Sequence, residues 1–291
     1  KLFNALHYPT GGDVVINGKS TKGQPTAQVS RTVGYVFQNP DDQIFHSTVL
    51  AEVEFGPRMM KLPEEKVTEL VNYALKITGM KKFREENPYN LPLSVRKFVT
   101  IAAIIAMDCD VMIFDEPTAG QDFDGNKRLS RILKELSAKG KTLITISHDM
   151  VFVADNFSRV IVMSNKKVIM DGTPKEVFWN LPVLEEAMLK QPYVSRICHA
   201  LGLSSSVTQM DEAVALISET YQQTIKGERT WDSSTPTMAG VSPIGYGSGL
   251  NRFCHPCLRT PWAVSVPACP TVGRWTPSFW CYAPACSGTL F

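Results

Sequence analysis

The chain has 291 residues, 44% of them hydrophobic and 20% charged, with a formal net charge of +2. That length supports one sizeable core, or one domain with an appendage. The near-neutral balance lacks the basic stripe of a nucleic-acid binder. No apolar run approaches the roughly 18–20 residues that cross a bilayer, so the chain reads as soluble, reaching a membrane only through a partner.

Short β-branched runs and longer helical patterns alternate over the first 175 residues. DVVIN (13–17), VGYVF (33–37), DVMIF (110–114), TLITIS (142–147) and RVIVM (159–163) read as strands. Between them, Pro63 with Glu64 and Glu65 makes a good first turn for a helix whose apolar face is Val67, Leu70, Val71, Ala74 and Leu75. Gly79 can stop that helix in a left-handed cap. A second helix carries Leu129, Ile132, Leu133 and Leu136 and is closed by Gly140. Near-continuous apolar strands separated by helices predict an α/β domain around a buried, mainly parallel sheet. The predicted organisation is that domain over residues 1–180, a helical extension over 181–220, and a tail of different texture over 221–291.

Three strand ends carry chemistry. In DVMIFDEPTAGQD (110–122), a buried strand delivers Asp115 and Glu116 to its carboxyl end, where α/β folds bind ligands. Adjacent acids there are costly unless a cation or a reacting water uses them. In a nucleoside triphosphatase the first acid holds Mg²⁺ and its neighbour polarises the attacking water. In ITISHDM (144–150), His148 follows the next strand, within reach of a phosphate or of the water near Glu116. In YVFQNPDDQIF (35–45), Gln38 follows a strand and offers an amide oxygen that can coordinate Mg²⁺.

Together these motifs resemble an ATP-binding cassette (ABC) ATPase. FQNPDDQIF, FGP (55–57) and DGTPKEVF (171–178) are similar, more narrowly, to the ATPase subunits of energy-coupling factor importers, which take up vitamins and transition-metal ions. The resemblance covers about residues 1–180. It implies ATP and Mg²⁺ as ligands, with Asp115 and Gln38 on the metal, Glu116 as general base and His148 as the switch histidine. It also implies that Gln38 relays to a transmembrane coupling subunit and that Asp122 faces a second ATPase subunit. Two such subunits sandwich the nucleotide at the cytoplasmic face of the cell membrane, bound there peripherally. A non-hydrolysing structural partner in such a pair is the alternative.

Two departures bear on activity. Gly18-Lys19-Ser20-Thr21 has the end of a phosphate loop, G-x-x-x-x-G-K-[ST], but position 13 is Asp13 and no apolar helix follows. The stretch reads as a turn. By the resemblance, the true loop and the first strands are expected before Lys1, and this chain by itself is expected to turn over little ATP. Aligned on FVTIAAIIA, the family's LSGGQ signature falls on Leu91-Pro92-Leu93-Ser94-Val95. Glycines there let backbone N–H groups approach a phosphate. Here only Ser94 offers a hydroxyl, which implies a paralogue as the ATPase partner.

The tail holds four of the five tryptophans, eight prolines and Cys254, Cys257, Cys269, Cys281 and Cys286, with one Lys and one Glu. Cys254 and Cys257 have the spacing of a zinc half-site. The composition and missing periodicity fit a shifted reading frame better, so disorder is the expectation and tail zinc is not.

Overall fold

A computed structural model describes residues 1–203, residues 206–225 and the backbone of Trp280–Cys281. The chain falls into two units, residues 1–215 with 277–291, and residues 216–276. Of the second unit, only the end of one helix is among the described residues. Cys254, Cys257, Cys269 and Cys286, on which the expectations for the tail rest, lie outside the described residues.

The first unit opens on a hairpin, β1 (Val15–Ile16) and β2 (Lys19–Ser20), paired antiparallel. Asn17 and Gly18 between them take φ of 48° and 75°, the conformation that a two-residue hairpin turn demands. Lys19 and Ser20 are therefore strand residues, and no helix starts behind Gly18. A four-residue helix, α1 (Thr26–Val29), leads into β3 (Val33–Val36), which is buried along its whole length.

Three helices follow, α2 (Val49–Met59), α3 (Glu64–Thr78) and α4 (Leu93–Ala106). α2 has no sequence prediction behind it, because Gly56 and Pro57 interrupt its pattern. Thr48 starts it by accepting from the Ala51 N–H at 3.2 Å, and Pro57 is confined to its last turn. α3 begins after Pro63 and ends at Gly79, whose φ is 73°, as predicted. The three helices share one core through Val53, Val67, Val71, Leu75, Phe98 and Ile105.

The chain then returns to the sheet as β4 (Val111–Asp115), α5 (Phe123–Ala138), β5 (Thr142–Ile146) and α6 (Met150–Asn156). β3, β4 and β5 form a parallel sheet in that order. α4 lies so close to β3 that a Cβ on Gly34 would stand 2.5 Å from Cγ2 of Ile104. We expect Gly34→Ala to cost about 1–3 kcal/mol by overpacking, read as a lower midpoint in thermal unfolding.

RVIVM does not join the parallel sheet. It forms β6 (Val160–Ser164), which pairs antiparallel with β7 (Lys167–Gly172). Asn165 and Lys166 make the tight turn with φ of 49° and 64°. Asn-Lys is not the usual Asn-Gly signal, so the hairpin was hidden in the sequence. β8 (Trp280–Cys281) pairs antiparallel on the other side of β6. After β7 come α7 (Pro174–Trp179), α8 (Leu181–Glu186), α9 (Tyr193–Ala200) and α10 (Met210–Ile225). Thr173 and Glu176 form a capping box at the start of α7.

Candidate active site

The register of the parallel sheet sets one edge. Val36 pairs with Phe114, and Asp115 pairs with Ile146. The chain leaves β3, β4 and β5 at nearly the same level, so Gln38, the pair Asp115 and Glu116, and His148 emerge along one carboxyl edge.

Asp115 is held from the neighbouring strand. Tyr35 Oη donates to Oδ2 at 2.6 Å, while Oδ1 is buried with no hydrogen-bond partner among the described residues. A buried carboxylate oxygen left vacant is expensive. It is also the hard oxygen donor that Mg²⁺ takes. Asp115 therefore fits the metal that the strand-end acids imply.

Glu116 sits with φ of 48° and only 5% exposure. A non-glycine residue there is strained by about 1–3 kcal/mol and must be held by its surroundings. Its N–H donates to the Ile146 carbonyl at 2.9 Å. Its carbonyl accepts from Nζ of Lys97 at 2.8 Å. Oε2 lies 2.7 Å from Nδ1 of His148, at an angle that falls short of a directed hydrogen bond. Burial pushes the Glu116 carboxyl above its ordinary range, opposed by His148. The imidazole side chain is 63% exposed, so the pair faces open solvent on one side and protein on the other.

Gln38 is exposed, in a loop pinned on either side of it. The Phe37 N–H donates to Gln43 Oε1 at 3.1 Å, and Asn39 Oδ1 accepts from the Asp41 N–H at 3.2 Å. Arg96 on α4 pairs with Asp41 and donates to the carbonyls of Tyr89 and Leu91. Ser94 lies half-buried in the first turn of α4, and its carbonyl accepts from Gln121 Nε2 at 3.0 Å. Asp122 caps α5, its Oδ1 accepting from the Gly125 N–H at 2.7 Å. Four of the sequence-predicted residues thus share the sheet edge. Ser94 in the first turn of α4 and Asp122 at the N-cap of α5 are brought near each other through Gln121.

Residues 1–119 match the family model described as ABC transporter. A putative ABC transporter ATP-binding protein of Pyrococcus furiosus is 42% identical over 70% of this chain and 77% of its own length. The energy-coupling factor transporter ATP-binding protein EcfA of Methanocaldococcus jannaschii is 41% identical over 70% of this chain and 74% of its own. The chain belongs to the ABC transporter ATP-binding subunits of the energy-coupling factor type.

Solved structures agree. CbiO1 of Clostridium perfringens, part of the ABC transporter complex CbiONQ, superposes with a TM-score of 0.58 and 33% identity, over 69% of this chain and 80% of that one. A dimeric ATP-binding cassette with ADP and Pi, at 23% identity and TM-score 0.53, shares the fold. Among the described residues of the ATP-binding subunit, no helix is long and apolar enough to cross a membrane. None of its His, Cys, Asp and Glu residues gather in groups of three or more that could cage a metal, among those described.

Three residues of the subunit's site were not foreseen. Tyr35 reads as one more apolar strand position, and its partner lies 80 residues away. Gln121 looks like a loop filler between Gly120 and Asp122. Lys97 did carry a signal: it is a charge in the middle of an otherwise apolar helical face, and only 4% of it is exposed. Burial pulls its ammonium pKa down, opposed by Glu116 and Asp115.

Proposed function

We propose that this subunit hydrolyses ATP with Mg²⁺ and so drives a transmembrane partner that imports a vitamin or a transition-metal ion. One observation carries the reading: the vacant, buried Oδ1 of Asp115 stands beside a buried Glu116 that is in contact with His148. Asp115, through Oδ1, and Gln38, through its amide oxygen, would hold Mg²⁺. Bound there, the metal would neutralise charge on the β- and γ-phosphates. Glu116 accepts the proton of the water that attacks the γ-phosphorus, and its raised affinity for that proton suits a base. His148 orients Glu116 and donates toward the phosphoryl oxygens from its exposed face. Asp122 and Ser94 face the second ATPase subunit, and the cycle of closing and reopening is passed on at the cytoplasmic face of the membrane.

A surface for the membrane partner lies close by. Phe45 is 62% exposed and meets Phe55 edge to face at 4.9 Å, with the His46 ring tilted against Phe45 at 4.3 Å. Buried Glu52 holds this loop by accepting from the N–H groups of Phe45 and His46 at 3.1 and 2.9 Å. Exposed aromatics held this rigidly suit an interface, and the segment that carries Phe45 and His46 starts at Gln38, with Phe55 contributed by α2.

The segment at the start of α4 favours a second reading, in which this subunit is a structural partner to a competent ATPase. Pro92 stands at its N-cap, and Leu93 and Val95 flank Ser94 where glycines would give phosphate access. Metal dependence separates the two. In the subunit assembled with its ATPase and membrane partners, Tyr35→Phe should weaken Mg²⁺ activation of ATP hydrolysis by about tenfold, because it frees the second oxygen of a ligand carboxylate. Mg²⁺ titrations identical to wild type would favour the structural partner.

A further inference from the structure

Lys97 is a residue that the core does not explain. Its neighbours on α4, Phe98, Ile101, Ala102 and Ile105, are buried and apolar. An unbranched apolar side chain would fill the same space without the cost of taking an ammonium out of water. The ammonium is spent on two backbone carbonyls instead, those of Glu116 and Ala119, each at 2.8 Å. These carbonyls bracket a turn closed by the Ala119 N–H, which donates to the Glu116 carbonyl at 3.2 Å. Glu116 opens that turn in the left-handed region, with its N–H already committed to Ile146. Lys97 is thus the side chain that grips the far end of the Glu116 peptide. Gln121, donating to the Ser94 carbonyl at 3.0 Å, makes a second tie between the same loop and the same turn of α4.

We propose that Lys97 is a positioning residue, which clamps the 116–119 turn to the first turns of α4 and thereby keeps the Glu116 carboxylate in place beside His148. The proposal rests on the reading of Glu116 as the base. It makes α4 more than a wall of the core: a shift of its N-terminal turns, where Ser94 would face the second ATPase, moves the Glu116 backbone with it.

The test uses Lys97→Met, which keeps the length and removes the donors, and Lys97→Arg, which keeps charge and donors. In the full chain, the His148 imidazole signals in NMR report where the Glu116 carboxylate sits. Lys97→Met should move them toward their positions in Glu116→Gln, and Lys97→Arg should leave them near wild type. In the assembled transporter, Lys97→Met should lower kcat by about 10–100-fold, the cost of a base misplaced by about an ångström. KM for ATP should stay within about twofold, since ground-state binding is untouched. Unmoved His148 signals in Lys97→Met would overturn the proposal, and so would a parallel change in kcat and KM. If Lys97→Met does not fold, Lys97→Gln, too short to hold both carbonyls, takes its place, and wild-type signals and kcat in that variant would overturn the proposal as well. Should Glu116→Gln leave turnover intact, the functional reading fails, while the NMR comparison still decides whether Lys97 holds Glu116.

Discussion

Glu116→Gln in the assembled transporter is expected to lower ATP hydrolysis by about 10²–10⁴-fold, the range that a positioned general base contributes. Nucleotide binding should survive, because glutamine keeps the size of the side chain and the backbone ties to Ile146 and Lys97 do not depend on the carboxylate. The substitution removes a buried acid whose proton affinity is already raised, so no folding penalty accompanies it. Trapped ATP with normal affinity and no release of phosphate is the signature to look for in a binding and single-turnover experiment. Transport should stop with hydrolysis.

Phe114→Ala should have the largest effect on stability. Phe114 is 0% exposed and belongs to the main core, between the sheet and the helices α2 to α5. Removing a buried aromatic ring costs about 3–5 kcal/mol, part transfer and part cavity. For a domain of this size that is a fall in the unfolding midpoint of roughly 10 °C or more. The residue also precedes Asp115 directly, and its backbone pairs with Val36 and Thr145. Loss of the ring should therefore loosen the acid pair before the protein unfolds, and calorimetry on the variant should show both a lower midpoint and weaker Mg²⁺ dependence.

These two residues also mark what could be read in the sequence. Asp115, Glu116, Gln38 and His148 were legible because each stands within two residues of a strand end, so a one-dimensional pattern carried them to a common edge. α3 and α5 were legible from their apolar spacing and their closing glycines. The partners of the residues that hold the site were not, even for Lys97, whose charge on an apolar helix marked it, since the contacts are long-range: Tyr35 reaches 80 residues along the chain, Gln121 reaches 27 and Lys97 reaches 19. No local pattern encodes such distances. The β6–β7 hairpin was missed for a different reason, because Asn165 and Lys166 adopt left-handed geometry without the glycine that usually announces it. α2 was hidden by Gly56, where a Cβ would stand 2.5 Å from Cγ of Met107, so the glycine serves close packing rather than a turn. Asp122 shows the limit of motif reading: the family resemblance implies a subunit face for it, and the role visible in the fold, its carboxylate capping α5, was not anticipated.

The catalytic role of this subunit depends on its own Glu116. The most direct measurement is ATP hydrolysis by the assembled transporter in which the partner ATPase carries a disabled base, comparing this subunit as wild type and as Glu116→Gln. Turnover that remains with wild type and vanishes with Glu116→Gln is the predicted result. Equal turnover from the two assemblies would contradict the account and leave this subunit as the structural half of the pair.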